Sequence, residues 1–378
     1  MSEKSSSVYQ ERTVQNFLKD GNLSDIFEKI LAGERLSRED GIRVYQSDDL
    51  LQIGYLADLV KQRKTGNYVY FINNRHINPS NICINRCKFC AFSRDKEDPD
   101  AYTMSLDEIM EAALESAPRG ITELHIVGGL HPDLPFTFYL EMVKRLKEAL
   151  PHVHIQAFTA VEIDYFSRIS GLSTEGVLRQ LKDVGLGSLP GGGAEIFSER
   201  ARKKAWEKKI SGSRWLEIMR TAHKLGIKSN ATMLYGHIET IEERIDHLLS
   251  LRRLQDETRG FQAFIPLAFH PKNTELSRLS FTTGRDDLKT LAIARLMLDN
   301  FDHIKAFWIM IGIKLAQISL AFGVDDMDGT IVEEKITHAA GAETPEAISK
   351  SALIKSIKDA GRTPVERDTV YNVLKIYN

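Results

Sequence analysis

The sequence predicts an α/β fold, a closed (β/α)8 barrel of the TIM type, on three observations. Short apolar runs alternate with amphipathic helical patterns from Tyr68 onward. Glycines punctuate these units in a repeating order, and eight units occupy about 260 residues, the usual size of such a barrel. An open doubly wound sheet is the alternative architecture for the same alternation.

Residues 1–66 read as an N-terminal helical extension. Apolar residues recur at helical spacing in Phe17, Leu18, Ile26, Phe27, Ile30 and Leu31, and again in Leu50, Leu51, Leu56 and Leu59, with no strand signal. The barrel is placed at 67–332. Its candidate strands are His76–Ile82, Thr122–Val127, His154–Thr159, Leu186–Leu189, Ser229–Tyr235, Phe261–Phe269, His303–Ile311 and Val324–Thr330. Between them, Ser105 and Glu108 form a capping-box pattern ahead of an apolar face, and Phe136, Leu140, Val143, Leu146 and Leu150 line a second helix. Gly120, Gly185, Gly226, Gly260 and Gly323 stand where helices end and strands begin. Gly128, Gly129, Gly191 to Gly193, Gly236 and Gly312 stand where strands end, so they mark the carboxyl rim on which a barrel builds its active site. Residues 333–378 turn polar and predict a C-terminal helical tail packed on the barrel, with one helix from Pro345 to Asp359.

Composition narrows the function. Hydrophobic residues at 42% and charged residues at 27% are those of an ordinary globular protein. The 50 basic and 52 acidic residues leave a net charge of -2, which argues against nucleic acid and anionic membrane as partners and for a small molecule. No apolar run is long enough to span a bilayer, and the polar start lacks the apolar stretch of a signal peptide, so a cytoplasmic protein is expected. The three cysteines all fall in one eight-residue window, which excludes a disulfide framework and suggests metal or redox chemistry.

Those cysteines lie in Asn81-Ile-Cys83-Ile-Asn-Arg-Cys87-Lys-Phe-Cys90-Ala-Phe-Ser, a C-x3-C-x2-C spacing directly after the first expected strand. Thiolates this close can surround one soft metal centre. A cubane 4Fe-4S cluster ordinarily takes four cysteines, so three would leave one iron open to a ligand. The competing reading is a structural zinc site with a fourth ligand such as His76, although such sites usually have a second, distant ligand pair.

The spacing, with Phe89 just before the third cysteine, resembles the signature of the radical S-adenosylmethionine (SAM) superfamily, whose fold is a full or partial β/α barrel. That resemblance implies a 4Fe-4S cluster on Cys83, Cys87 and Cys90, with SAM chelating the fourth iron. It further implies Phe89 near the adenine, backbone groups of Gly128 and Gly129 at the methionyl amine, and a low-potential electron donor such as flavodoxin or ferredoxin. Leu130 stands where the superfamily usually has an acid, so only the backbone part of that element carries over. In Leu189-Pro-Gly191-Gly192-Gly193-Ala-Glu195, the glycines allow close approach to a ligand, and Glu195 can accept from a ribose hydroxyl. Glu162, just after the third strand, is another ribose candidate.

The runs around His125 to Pro132, Leu189 to Phe197, Ala231 to Thr240 and Phe264 to Pro271 are similar to the aminofutalosine synthase family of the futalosine route to menaquinone. The family's reaction adds the 5'-deoxyadenosyl radical to the enol ether 3-[(1-carboxyvinyl)oxy]benzoate, followed by aryl migration and loss of the carboxyl group, consuming SAM as a co-substrate. The dehypoxanthine futalosine cyclase and deazaflavin (FO) synthase families share the scaffold and are the alternatives, and a non-catalytic metal-binding protein is a third. A substrate with two carboxylates asks for cationic or hydrogen-bonding groups. The expected rim offers Arg75, His76, Arg94, His131, His237, His270 and Lys272, with Tyr235 and Thr240 as weaker candidates. His237 and His270, each following a strand, are the expected catalytic residues.

Overall fold

A computed structural model describes residues 23–378. The helical periodicity at Phe17 and Leu18 therefore lies outside the described residues. Three helices, Ser24–Ala32, Arg38–Gln46 and Leu50–Thr65, precede the first strand. Arg38–Gln46 packs on the helix Ile241–Thr258, and Leu50–Thr65 on Gly284–Met297, so these helices lie beside the strands' covering helices.

The first strand is one extended run broken at a single residue. Tyr68–Ile72 (β1) and Asn74–Ile77 (β2) flank Asn73, whose amide donates to the carbonyls of Arg119 and Gly120 at 2.8 Å. From β2 the sheet continues in parallel through Glu123–Ile126 (β3), His154–Ala157 (β4), Ser188–Leu189 (β5), Lys228–Tyr235 (β6), Phe261–Ala268 (β7) and His303–Ile304 (β8). Asp326–Gly329 (β9) completes the ring. It pairs with β1 at Tyr70 and Ile72, while Asp325 N donates to Ile304 O and Ala306 N to Asp326 O on the β8 side.

Three expectations change. The strand expected at His76–Ile82 begins at Tyr68 and stops at Ile77, because Pro79 lacks a ladder donor and the chain then loops outward. Only His303–Ile304 of the expected His303–Ile311 is strand. Trp308–Ile311 is a helical turn, anchored by Trp308 Nε1 donating to Gly329 O at 2.9 Å, and an apolar run of that length fits either state. The tail expected to be helical does contain a helix, Lys350–Asp359, but adds Thr363–Arg367 (β10) parallel to β1 and Val373–Ile376 (β11) antiparallel to β10. Pro364 hides β10 from a strand reading, and the buried Arg367 fixes it by bonding Asp326 at 2.7 Å.

Barrel interiors are ordinarily filled by branched apolar side chains. Here the register puts His76, His125, Gln156 and Ser188 side by side across β2 to β5. All four are buried or nearly so. A polar row inside a barrel is costly unless it is bonded or serves a ligand.

Candidate active site

The cysteine loop is held from both sides. Asn81 accepts from Tyr102 N through Oδ1 (2.8 Å) and donates to Asp100 O through Nδ2 (2.9 Å), while Arg94 N reaches back to Asn81 O at 2.8 Å. Cys83 N donates to Arg94 O and Cys90 N to Cys87 O, and Arg86, at a positive φ of 45°, donates to Ser93 O. Thus the three thiols project into one cavity of about 320 Å³ at the carboxyl ends of the strands.

Glycine lets β3 meet this loop. Gly129 N donates to Ser80 O at 2.8 Å, and a Cβ at Gly129 would overlap the Ile82 carbonyl oxygen and lie 2.7 Å from its carbon. Next to it, Gly128 N donates to Glu162 Oε1 at 3.3 Å. Glu162 caps its own helix, accepting from Thr159 N at 2.7 Å and from Thr159 Oγ1 at 2.9 Å. Burial raises its carboxyl to about 7 even though these donors favour the charged form.

The opposite wall is the triple-glycine turn. Gly191, at φ +86°, presses on the Asn230 backbone, its carbonyl accepts from Thr232 Oγ1 at 2.9 Å, and a side chain there has no room. Glu195 forms a buried ion pair with Lys209, whose ammonium also sits 5.0 Å from the centre of the Phe89 ring. Burial opposes the Lys209 charge, but Glu195 and then Cys87 outweigh it and raise its pKa. Phe89 in turn stands edge-on to Trp206 at 5.5 Å.

Deeper in, the His76 and His125 rings stack at 4.4 Å. Gln156 Nε2 donates to Ser188 Oγ, so its Oε1 accepts a hydrogen bond from His125 Nδ1 at 3.1 Å. Lys305 Nζ donates to Asp328 Oδ1 at 3.1 Å. Three buried polar atoms that line this cavity have no protein partner: His76 Nε2, Asn78 Oδ1 and His270 Nδ1. The polarity of two of them is fixed. Asn78 Nδ2 donates to Val127 O and His270 Nε2 to Met310 O, so Asn78 Oδ1 and His270 Nδ1 face the cavity as bare acceptors. Leaving such atoms without a partner costs about 1–3 kcal/mol each, so the cavity presents polar atoms able to bond a polar ligand.

Cys83, Cys87, Cys90, Phe89, Gly128, Gly129, Glu162, Glu195, His76 and His270 thus meet in one cavity. His237 does not. Its ring is closed off from solvent, with Nε2 donating to Leu234 O at 2.9 Å and Nδ1 accepting from Ile238 N at 2.7 Å, and lies against Trp206 outside the lining. A turn at Gly236 swings it off the strand's end, which a residue count along the strand cannot foresee. Arg75 turns outward to Glu333, Arg94 to Asp100 and Lys272 to Glu343. His131 accepts from Asp133 N, Tyr235 donates to Asp287, and Thr240 caps a helix. Sequence reasoning missed Lys209, Lys305 and Asp328. Lys305 alone left a signal, as a charged residue inside an apolar strand-like run.

Among the described residues, no three His, Cys, Asp or Glu side chains converge as on a single metal ion, which does not suit zinc. A cubane distributes its thiolates over separate irons and so suits a wider set. Burial pushes the Cys87 thiol up to about 12, so it is a poor thiolate unless a metal replaces its proton. Cys83, Cys87 and Cys90 could therefore hold a 4Fe-4S cluster.

Residues 77–251 match the family model described as the Radical SAM superfamily, and residues 258–378 match the CofH/MqnC C-terminal region. An aminodeoxyfutalosine synthase from Thermus thermophilus is 50% identical over 96% of this chain and 98% of its own. This chain belongs to the radical SAM superfamily. A second relative of this radical SAM enzyme, an aminodeoxyfutalosine synthase from Streptomyces coelicolor, is 46% identical over 93% of this chain and 94% of its own. A 5-amino-6-(D-ribitylamino)uracil–L-tyrosine 4-hydroxyphenyl transferase from Methanoculleus marisnigri is 40% identical over 93% and 98%. Among solved structures, methylornithine synthase superposes with a TM-score of 0.71 at 19% identity, over 89% of this chain and 96% of that one, a likeness of fold. The radical SAM chain has no helix among the described residues long and apolar enough to cross a membrane.

Proposed function

We propose that this radical SAM enzyme is an aminodeoxyfutalosine synthase of menaquinone biosynthesis, with 3-[(1-carboxyvinyl)oxy]benzoate and SAM as its substrates. The observation that carries the proposal is the convergence of the three cysteines, the glycine rims and the partnerless polar atoms on one cavity. The 50% and 46% identical relatives that bear this name support it. Cys83, Cys87 and Cys90 would hold a 4Fe-4S cluster, which when bound and reduced would supply one electron for reductive cleavage of SAM.

The chain's own residues bind and orient. Phe89 and the turn Gly191 to Gly193 present flat and backbone surfaces to the adenosyl part, and Glu162 and Glu195 offer acceptors at the same rim. His270, whose pKa is lowered by burial, is neutral at pH 7, and its Nδ1 accepts a hydrogen bond from a ligand donor. Lys305 has ammonium protons beyond the one given to Asp328, and His76 Nε2 is free. Together they face the carboxylate that lies farther from the cysteines.

Reconstituted protein incubated anaerobically with the enol ether, SAM and dithionite tests the proposal. The expected product has the mass of 6-amino-6-deoxyfutalosine and retains the adenosyl carbon. That a 40% identical relative is named for another reaction shows that this scaffold is not confined to one chemistry. A second reading keeps the superfamily but changes the reaction to hydrogen abstraction and cyclisation. Release of 5'-deoxyadenosine, with no adenosine carried into the product, would decide for it.

A further inference from the structure

One side of the cysteine loop carries a run of exposed lysines, whereas the segment that follows it, Arg94 to Asp100, holds four acids that pair with Arg86 and Arg94 all but once. Lys88 lies between Cys87 and Cys90 and is exposed. Its N–H donates to Ala205 O at 2.9 Å, and its carbonyl accepts from Glu275 N at 2.9 Å. The first bond brings the end of the helix Glu199–Ala205, and the turn after it, against the loop. That segment carries Lys203, Lys204 and Lys208, all exposed. None of these four lysines has an ion pair or side-chain hydrogen bond among the described residues. Their neighbour Lys209 points inward to Glu195 instead. Glu199, Glu207 and Glu275 are the exposed acids on the same segments; Glu199 is paired with Arg202, and the four lysines outnumber the other two. Elsewhere on this surface, cations are matched, as in Arg202 with Glu199 and Arg200 with Glu243. The neighbouring Ile84 is 38% exposed, and Cys83 and Cys90 are themselves half-buried rather than sealed.

We infer that Lys88, Lys203, Lys204 and Lys208 form a docking surface for a small acidic protein that carries a one-electron redox group. The inference rests on the cysteines holding a redox cluster. It follows from place and charge. Unpaired cations cost nothing in water but gain from an opposing acidic face, and they steer encounter and orientation more than they add contact energy. Because Lys88 stands between two of the cysteines and its N–H is bonded to the segment that carries the other three lysines, an acidic partner seated on them lies beside the cysteine loop. The step balances simply. The reduced carrier gives up one electron and becomes oxidised by one, the cluster is reduced by one, and no bond forms between the two proteins.

The test is a triple charge reversal, Lys203→Glu, Lys204→Glu and Lys208→Glu, in the reconstituted holoenzyme, with flavodoxin as the probe. Binding of oxidised flavodoxin is measured by titration calorimetry at roughly 20 and 200 mM salt, a range over which screening of exposed charges changes strongly. Turnover is measured with reduced flavodoxin and, separately, with dithionite. We expect the variant's affinity to fall by at least about tenfold at low salt and its salt dependence to flatten. Flavodoxin-driven turnover falls with it, while dithionite-driven turnover stays at the parent rate. Unchanged affinity would overturn the inference, and so would equal losses with both reductants. Failure of the parent to turn over with dithionite would instead count against the cluster itself.

Discussion

Replacing Gly129 by alanine adds one carbon where the end of β3 meets the cysteine loop. That carbon would overlap the Ile82 carbonyl oxygen, lie 2.7 Å from the Ile82 carbon and stand 3.1 Å from Cys83 Cβ, and all of these atoms are backbone or next to it. No side-chain rotation relieves the overlap, so the loop must retreat by on the order of 1 Å, which close-packed interiors resist. Retreat weakens the bonds that hold the junction, Gly129 N to Ser80 O at 2.8 Å and Ile84 N to Leu130 O at 3.2 Å. At about 1 kcal/mol for each bond and about 1–2 kcal/mol for overpacking, the loss is roughly 3–4 kcal/mol. With about 2.1 cal/mol/K of unfolding entropy per residue, that lowers Tm by about 4–5 °C in a chain of 378 residues. The cysteines move with the loop, so iron and sulfide per chain after anaerobic reconstitution should fall below half of the parent value. Gly176→Ala is the control. Its Cβ meets nothing closer than Ser173 Oγ at 3.4 Å in a surface helix, so stability should hold or rise by up to about 1 kcal/mol. If Gly129→Ala kept full iron and melted within a degree of the parent, the close approach would not be what shapes the cysteine loop.

Glu162→Gln tests the buried carboxyl. Its folded pKa of about 7 lies above the unfolded value, so its contribution to stability is full below the unfolded pKa and is lost as pH rises through about 7. The stability gap between parent and variant should therefore be smaller at pH 8 than at pH 5, and a gap that grows with pH in paired thermal melts would contradict the assignment. The two histidines should separate. His270→Gln should lower kcat/KM by about 10- to 100-fold, because it takes the imidazole Nδ1 away from the ligand, and should cost about 1 kcal/mol of stability through the bond to Met310 O. His237→Gln should destabilise the fold, since it breaks the ring's bonds with Leu234 O and Ile238 N, while leaving KM near the parent value. Melting curves and steady-state kinetics on both variants decide the matter, and equal kinetic losses would refute the distinction.

Much of the site was readable because its chemistry is local in sequence. Three thiols in eight residues can reach one centre whatever the rest of the chain does, and glycines at strand ends mark a rim for the same local reason. The histidines show where that legibility stops. His237 and His270 have the same credentials on paper, a histidine just past a strand, yet one faces the cavity and the other is walled off behind Trp206. The direction of a side chain after a strand depends on the turn that follows, and the Gly236 turn is not encoded by spacing. Lys209 reaches Glu195 across fourteen residues and a helix, a meeting that only packing arranges.

By itself, then, the chain's order of residues determined the repeating β/α grammar, the helical character of 24–65 and the single cysteine loop, because each follows from periodicity or from neighbours in sequence. Tertiary structure alone decided that the first strand splits at Asn73, that the tail returns a strand to lie beside β1, and that His76, Lys305 and His270 share one cavity. Those features join residues far apart in sequence, and their stability comes from packing and buried hydrogen bonds, which exist only once the barrel has closed.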